Sequence, residues 1–126
     1  MERYCEIDEL KGVVLDGIEG ATIGSDEIIF ISGNNKWKLY HEQDCCESVE
    51  LNDIIGDLRD IVGSEILNAY ESSNEEPDFD ALPHSDDSFT WSFYRITTIK
   101  GTVTFRWYGT SSGYYSESVD FKQIAP

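Results

Sequence analysis

Basic residues are scarce in this chain of 126 residues, which has 9 lysines and arginines against 25 aspartates and glutamates and a net charge of −16 at pH 7. Between residues 39 and 88 the one basic residue is Arg59. Such a charge repels nucleic-acid phosphates and anionic membrane surfaces, and it attracts basic protein surfaces. We therefore expect no direct binding to nucleic acid, and the charge serves either solubility alone or a basic protein partner.

Long apolar runs are also missing, since no stretch approaches the roughly 20 residues that a membrane-spanning helix needs. The first residues lack a basic segment followed by an apolar one, so we expect no signal peptide and no membrane association. The three cysteines are an odd number and two of them are adjacent, which favours reduced thiols. These features together predict a cytoplasmic protein.

The apolar content of 40% and the aromatic content of 13% indicate a folded chain. The length predicts a single domain over residues 1–126. Alternating and β-branched runs dominate, so we predict an α+β fold that is mostly antiparallel β, with a twisted sheet or a small sandwich or half-barrel and one or two short helices.

Several individual elements follow from periodicity. Alternation places Val49 and Leu51 inward on one strand, and it places Val103, Phe105 and Trp107 on one face of another. Apolar spacing predicts a helix that begins at Asn52 or Asp53 and contains Ile54, Ile55, Leu58, Ile61 and Val62. Three runs near the C-terminus, at residues 88–99, 102–108 and 114–121, predict a three-stranded antiparallel meander.

One segment, at about residues 71–87, combines a high acidic content with two prolines and no basic residue. We expect it to be an exposed, mobile loop. If the protein binds a basic partner, this acidic surface is the predicted contact. Its acidic residues are Glu71, Glu75, Glu76, Asp78, Asp80, Asp86 and Asp87.

Histidine, cysteine and carboxylate side chains are concentrated between residues 41 and 47. They include good zinc ligands, and a cysteine nucleophile activated by histidine is the enzymatic alternative. The adjacent thiols lack the C-x-x-C spacing of zinc sites, and a nucleophile would lack an evident orienting partner. The segment therefore favours a structural hairpin connection with thiols packed as small apolar groups, and we expect no catalysis and no cofactor. The residues concerned are His41, Asp44, Cys45, Cys46 and Glu47.

A second group of residues combines an arginine with aromatic side chains. If residues 114–121 pair with residues 102–108, then Arg106, Tyr108, Tyr114 and Ser116 share one sheet face, with Thr104 beside them. A guanidinium near exposed rings suits a ligand with an anionic group and a flat ring. The alternative is an ordinary solvated sheet face.

Three strings of the sequence resemble an uncharacterised family of small domains from phage and bacterial hypothetical proteins. They are L-Y-H-E-Q-D-C-C-E-S-V-E at residues 39–50, the D-L-R-D-I-V-G turn, and I-K-G-T-V-T-F-R-W-Y-G-T-S-S-G-Y-Y-S-E at residues 99–117. The resemblance covers most of the chain and implies a phage or prophage setting. It marks the H-x-x-D-C-C-E residues and also Arg106, Trp107, Gly109, Gly113, Tyr114, Tyr115, Ser116 and Glu117, whereas Ser112 stands where the family pattern has asparagine.

Two functions without catalysis fit these features. The first is phage counter-defence by sequestration of a small anionic, nucleotide-like immune signal, bound by Arg106, Tyr108, Tyr114, Tyr115 and Ser116 with His41 at the rim. The second is an acidic inhibitor or nucleic-acid mimic that blocks a basic groove of a host defence enzyme such as a nuclease. Either would act in the host cytoplasm, and an open sheet edge would allow a homo-oligomer.

Overall fold

The computed structural model describes residues 3–42, 47–73, 88–111 and 119–125, which form nine β-strands and two short 3₁₀ turns. The 3₁₀ turns are Ile7–Leu10 and Leu58–Ile61. The strands are β1 (Arg3–Tyr4), β2 (Gly17–Glu19), β3 (Glu27–Ser32), β4 (Asn35–Tyr40), β5 (Glu47–Ile55), β6 (Asn68–Ser73), β7 (Ser88–Thr98), β8 (Gly101–Ser111) and β9 (Asp120–Ala125).

The strands form two sheets. The five-stranded sheet has the order β1-β9-β4-β3-β2, and the four-stranded sheet has the order β5-β8-β7-β6. Each strand pairing among the described residues is antiparallel. The predicted mostly antiparallel β architecture is therefore confirmed, and its form is a sandwich of two sheets.

The two sheets share one apolar core. Phe30 of β3 contacts Phe105 of β8 edge-to-face, with ring centroids 5.8 Å apart, and its ring also lies 6.4 Å from that of Phe121 in β9. All three rings are buried. An aromatic pair of this geometry stabilises the fold by about 1 kcal/mol beyond the burial of its area. These contacts fix the distance and alignment of the sheets.

The alternation predicted for β5 and β8 is confirmed. Val49 and Leu51 in β5 and Phe105 and Trp107 in β8 are buried in the core. Because successive side chains of a strand point to opposite faces, the residues between them point away from the five-stranded sheet. The outward face of the four-stranded sheet is therefore built from residues such as Arg106.

The predicted helix after Asn52 is wrong. Residues 52–55 continue β5, and only Leu58–Ile61 forms a single 3₁₀ turn; the described residues contain no α-helix. Gly56 separates the two elements with a φ of 112°, which is outside the helical region. Asp57 then begins the turn, since its carboxylate accepts a hydrogen bond from the backbone N–H of Arg59 at 3.0 Å.

The predicted C-terminal meander is also wrong in part. β7 and β8 pair as the expected hairpin, with Thr98 opposite Gly101. The last strand, however, crosses to the other sheet, where it lies between β1 and β4. This position brings Phe121 into the core beside Phe30. Residues 112–118, which connect the sheets, lie outside the described residues.

A loop of the five-stranded sheet forms backbone hydrogen bonds with the middle of β5, on the side of β5 that faces away from β8. The backbone N–H of Gly24 donates to the carbonyl of Leu51, and the N–H of Leu51 donates to the carbonyl of Ser25, each at 2.8 Å. β5 is an outer strand of its sheet, so this loop links the two sheets at the edge.

The outward face of the five-stranded sheet carries lysine and tyrosine side chains. The ammonium group of Lys122 lies 5.7 Å from the ring centroid of Tyr4 and 4.9 Å from that of Tyr40. Lys38 lies 4.8 Å from the Tyr40 centroid. Burial, and after it a hydrogen bond with Tyr4, raises the pKa of Tyr40 to about 12.

No helix formed by the described residues has the length and apolar character needed to traverse a lipid bilayer.

Replacing Gly56 with alanine should destabilise the fold more than the same change at Gly24. Both residues have positive φ, but a Cβ at Gly56 would lie 2.5 Å from the carbonyl oxygen of Thr102, whereas a Cβ at Gly24 meets no atom within 4 Å. Backbone strain should cost Gly24→Ala about 1–2 kcal/mol, and the clash should bring Gly56→Ala to about 3 kcal/mol or more. Urea denaturation measures both, and equal losses would contradict the packing described at Gly56.

Stability should fall between pH 10 and pH 12 partly because of Tyr40. An unfolded tyrosine loses its proton near pH 10, whereas the folded protein keeps the Tyr40 proton up to a pKa of about 12. The folded state thus binds more protons in this interval, and stability decreases as the pH rises through it. Tyr40→Phe should make the decline of Tm with pH shallower. A decline of Tm as steep as in the wild type would show that the raised pKa of Tyr40 does not contribute.

Candidate functional site

Two arginines and four aromatic rings occupy the outward face of the four-stranded sheet. We call this surface the arginine–aromatic face. Cross-strand pairing sets its arrangement, since Trp91 lies opposite Tyr108, Phe93 opposite Arg106, and Tyr70 opposite Arg95. Its members are Tyr70, Trp91, Phe93, Arg95, Arg106 and Tyr108.

A β-bulge in β5 holds Arg106. The register shifts between Leu51, which is opposite Trp107, and Asp53, which is opposite Arg106, so Asn52 is the extra residue. Nε and Nη2 of Arg106 donate to Oδ1 of Asn52 at 2.9 and 2.7 Å. Oδ2 of Asp53 lies 3.6 Å from Nη2. The two bonds share one acceptor on a partly exposed side chain, so together they contribute about 1–2 kcal/mol and fix the guanidinium.

The guanidinium of Arg106 lies over an aromatic pair. Its Cζ is 5.2 Å from the ring centroid of Trp91. Trp91 in turn contacts Tyr108, with centroids 4.5 Å apart and ring planes at 46°. Trp91 is 3% exposed although it points outward. A cation over a largely desolvated indole gains about 2 kcal/mol.

A second cation–aromatic group lies on the neighbouring strands. The guanidinium of Arg95 is 5.2 Å from the ring centroid of Phe93 and 5.8 Å from that of Tyr70. Its Nη1 donates to Oγ of Ser72 at 3.0 Å. Tyr70 is 43% exposed, so this group reaches the solvent. Phe93 is directly opposite Arg106, so this buried ring neighbours both arginines.

The charge of the two central strands differs from that of the chain. Residues 88–111 contain no acidic residue and three basic ones, Arg95, Lys100 and Arg106, in a protein with a net charge of −16. The nearest carboxylates of the neighbouring strand β5 are Glu50, opposite Tyr108, and Asp53, opposite Arg106. The two central strands of this face thus carry a net positive charge in an acidic molecule.

The structure brings together only some of the ligand-binding residues that the sequence predicted. Arg106 and Tyr108 share the arginine–aromatic face, and Thr104 lies on the same side of β8. His41 is buried at the end of β4 in the other sheet, where its backbone N–H donates to the carbonyl of Asp26 at 3.0 Å. Tyr114, Tyr115 and Ser116 lie outside the described residues, as do Gly113 and Glu117.

The acidic and thiol segments are described only at their borders. Glu71 belongs to β6, not to a loop, whereas Glu75, Glu76, Asp78, Asp80, Asp86 and Asp87 lie outside the described residues. Asp44, Cys45 and Cys46 also lie outside them, and Glu47 is described only as the first residue of β5. Among the side chains that are described, no group of three His, Cys, Asp or Glu residues is arranged to hold a metal ion.

Several residues of the face escaped the sequence-based prediction. The period of two predicts that Trp91 and Phe93 share a face of β7, which the structure confirms, but it does not show that Arg95 and Arg106 lie on the same face. The roles of Asn52 and Asp53 had no visible signal, because both were assigned to a helix cap. A bulge leaves no pattern in a single sequence.

Removing the amide of Asn52 should loosen Arg106. Asn52→Ala deletes the acceptor of two hydrogen bonds, and we expect a loss of about 1–2 kcal/mol in unfolding free energy with a change in tryptophan fluorescence. Asp53→Asn is the matched control, since its contact is longer and exposed and should contribute less than about 0.5 kcal/mol. A larger loss from Asp53→Asn would show that the carboxylate, not the amide, holds Arg106.

Comparison with known proteins identifies the chain by family alone. A search of the curated proteins and a search of the solved structures each found no match. The family model described as Domain of unknown function (DUF7448) matches residues 5–121 and so includes every residue of the arginine–aromatic face. The chain belongs to this domain family.

Proposed function

We propose that this protein acts by binding, without catalysis, and that its arginine–aromatic face takes up a small anionic ligand that carries a flat ring. The observation that carries the proposal is the pair of arginines, each lying on aromatic rings, on two central strands without a carboxylate. Nucleotides combine the two required features, a phosphate and a base.

The anionic group of such a ligand would bind Arg106. A guanidinium has five N–H donors, and the bulge engages only Nε and Nη2. Nη1 therefore remains as a donor to a phosphate or carboxylate oxygen. The bulge also reduces the entropy that the arginine would lose on binding, because the side chain is already fixed.

The flat ring would stack on the exposed aromatic side of the face. Tyr70 is the most exposed aromatic of the group, and Arg95 lies against it. Stacking of a base on an aromatic ring contributes about 1–3 kcal/mol. A ligand with two anionic groups would use Arg95 as well as Arg106, since both arginines neighbour Phe93, one along β7 and one across from it in β8.

The biological setting we propose is phage counter-defence in the cytoplasm of the host cell. The resemblance of the H-x-x-D-C-C-E string and of residues 99–117 to domains of phage hypothetical proteins supports this setting. A binding protein made in quantity would remove a nucleotide-like immune signal by mass action, and such a function requires no active site. Tyr114, Tyr115 and Ser116 stay predicted ligand-binding residues, whereas His41 is buried beside β4 in the other sheet and is not part of the arginine–aromatic face.

A thermal-shift screen with mononucleotides and cyclic dinucleotides tests the proposal. A ligand at about 100 times its dissociation constant stabilises the folded protein by about 2.7 kcal/mol, which is a rise in Tm of roughly 10 °C for a domain of this size. Arg106→Gln and Arg95→Gln should each abolish most of this rise. Lys36→Gln is the control, because it removes the same charge from an exposed position of the other sheet.

Native mass spectrometry of the purified protein provides a second readout. A retained mass that matches a nucleotide and is lost in Arg106→Gln would support the proposal. A ligand-induced rise in Tm that persists in both arginine variants would exclude the arginine–aromatic face as the site. A rise that disappears equally in Lys36→Gln would exclude it as well.

A second candidate function is inhibition of a basic host protein, such as a defence nuclease, by an acidic surface. The net charge of −16 favours it. Ion pairs of Arg3 with Glu9, Lys38 with Glu27 and Arg59 with Asp57 also occupy three of the basic side chains that would repel such a partner. Capture of a basic protein that weakens steeply with added salt, and that survives Arg106→Gln, would favour this function over sequestration.

A further inference from the structure

A cavity of about 340 Å³ opens between the two sheets, at the edge where β1 and β9 approach β6 and β7. Its apolar wall is formed by Ile7, Phe121 and the buried ring of Tyr94. The volume lies in the range of small-molecule sites, which begins at about 300 Å³. The cavity is on the core side of the four-stranded sheet, so it is separate from the arginine–aromatic face.

Three acidic residues border the same cavity, one from each of three segments. Glu6 precedes the first 3₁₀ turn, Glu71 is in β6, and Asp120 begins β9. None of the described residues that line the cavity is basic. The hydroxyl of Tyr94 donates to the carbonyl of Val119 at 3.2 Å. Burial raises the pKa of Tyr94 well above its usual value, and the charges of Glu71, Asp120 and Glu6 add to the effect.

The size of the cavity and the spacing of its acidic residues determine which kind of cation fits. The described carboxylates do not converge as a metal-binding group, so a compact ion is a poor fit. An ammonium or guanidinium group on an apolar stem fits better, because the carboxylates attract its charge and the aromatic wall accepts both the stem and the cation.

We infer that this cavity binds an organic cation, namely an alkylammonium or alkylguanidinium group such as the end of a lysine or arginine side chain. The charge would lie among Glu6, Glu71 and Asp120, and the methylene groups would contact Phe121 and Tyr94. The source is either a basic side chain of a protein partner or a free amine.

NMR titration of the full chain with n-butylammonium chloride tests this inference, with n-butylguanidinium as the second cation and n-butanol as the neutral control at matched chloride concentration. Both cations should shift the amide signals of Tyr94 and Phe121, and n-butanol should not. Glu71→Gln and Asp120→Asn should each weaken binding by about threefold, the size expected for an exposed charge pair, and together by about tenfold.

Matched variants separate this site from the rest of the molecule. The carboxylates are on exposed residues, so their substitution should spare the fold, which an unchanged Tm would verify. Glu19→Gln, an exposed carboxylate on the far strand of the five-stranded sheet, should leave cation binding unchanged. Arg106→Gln should also leave it unchanged, so the inference stands or falls independently of the proposed function.

The outcomes are distinct. A blocked Gly-Lys-Gly peptide that binds tighter than n-butylammonium would identify a partner side chain as the source, and equal binding would identify a free amine; either supports the cation site. Shifts of the same size with n-butanol, or undiminished binding in the Glu71→Gln/Asp120→Asn double variant, would overturn it.

Discussion

The edge-to-face contact between Phe30 and Phe105 holds the two sheets together at their centre. Because side chains alternate along a strand, an inward Phe105 and Trp107 require Arg106 and Tyr108 to point outward. Slippage of β8 by one residue would bury the arginine and expose the rings, at a cost far above the stability of a domain this small. The register of the core is therefore also the register of the arginine–aromatic face.

Because the chain is acidic, the positions of its few basic side chains determine where an anion can bind. All carboxylates of the described residues lie outside β7 and β8, and these central strands carry Arg95 and Arg106 instead. Each guanidinium lies on a ring and is also hydrogen-bonded, to Asn52 or to Ser72. The two central strands therefore favour an anion, whereas the charged residues that border the cavity at the sheet edge are acidic.

Local patterns predicted local structure well and long-range pairing poorly. The alternation around Phe105 and the hairpin before it follow from a period of two. The spacing of Ile54, Ile55 and Leu58 fits a helix equally well as a strand followed by a turn, and the φ of Gly56 decided between them. The crossing of β9 depends on the contact of Phe121 with a residue about ninety positions earlier in the chain, which periodicity cannot reveal.

The loop at Gly24 and Ser25 has a consequence for self-association. Its hydrogen bonds use both the donor and the acceptor of Leu51, and the bulge at Asn52 follows immediately. A strand from another molecule could not pair with β5 at Leu51, because the backbone groups of Leu51 are already hydrogen-bonded. The bulge beside it bends the strand, so only short stretches of β5 remain for pairing. Edge-to-edge pairing of two copies through β5 is thereby disfavoured.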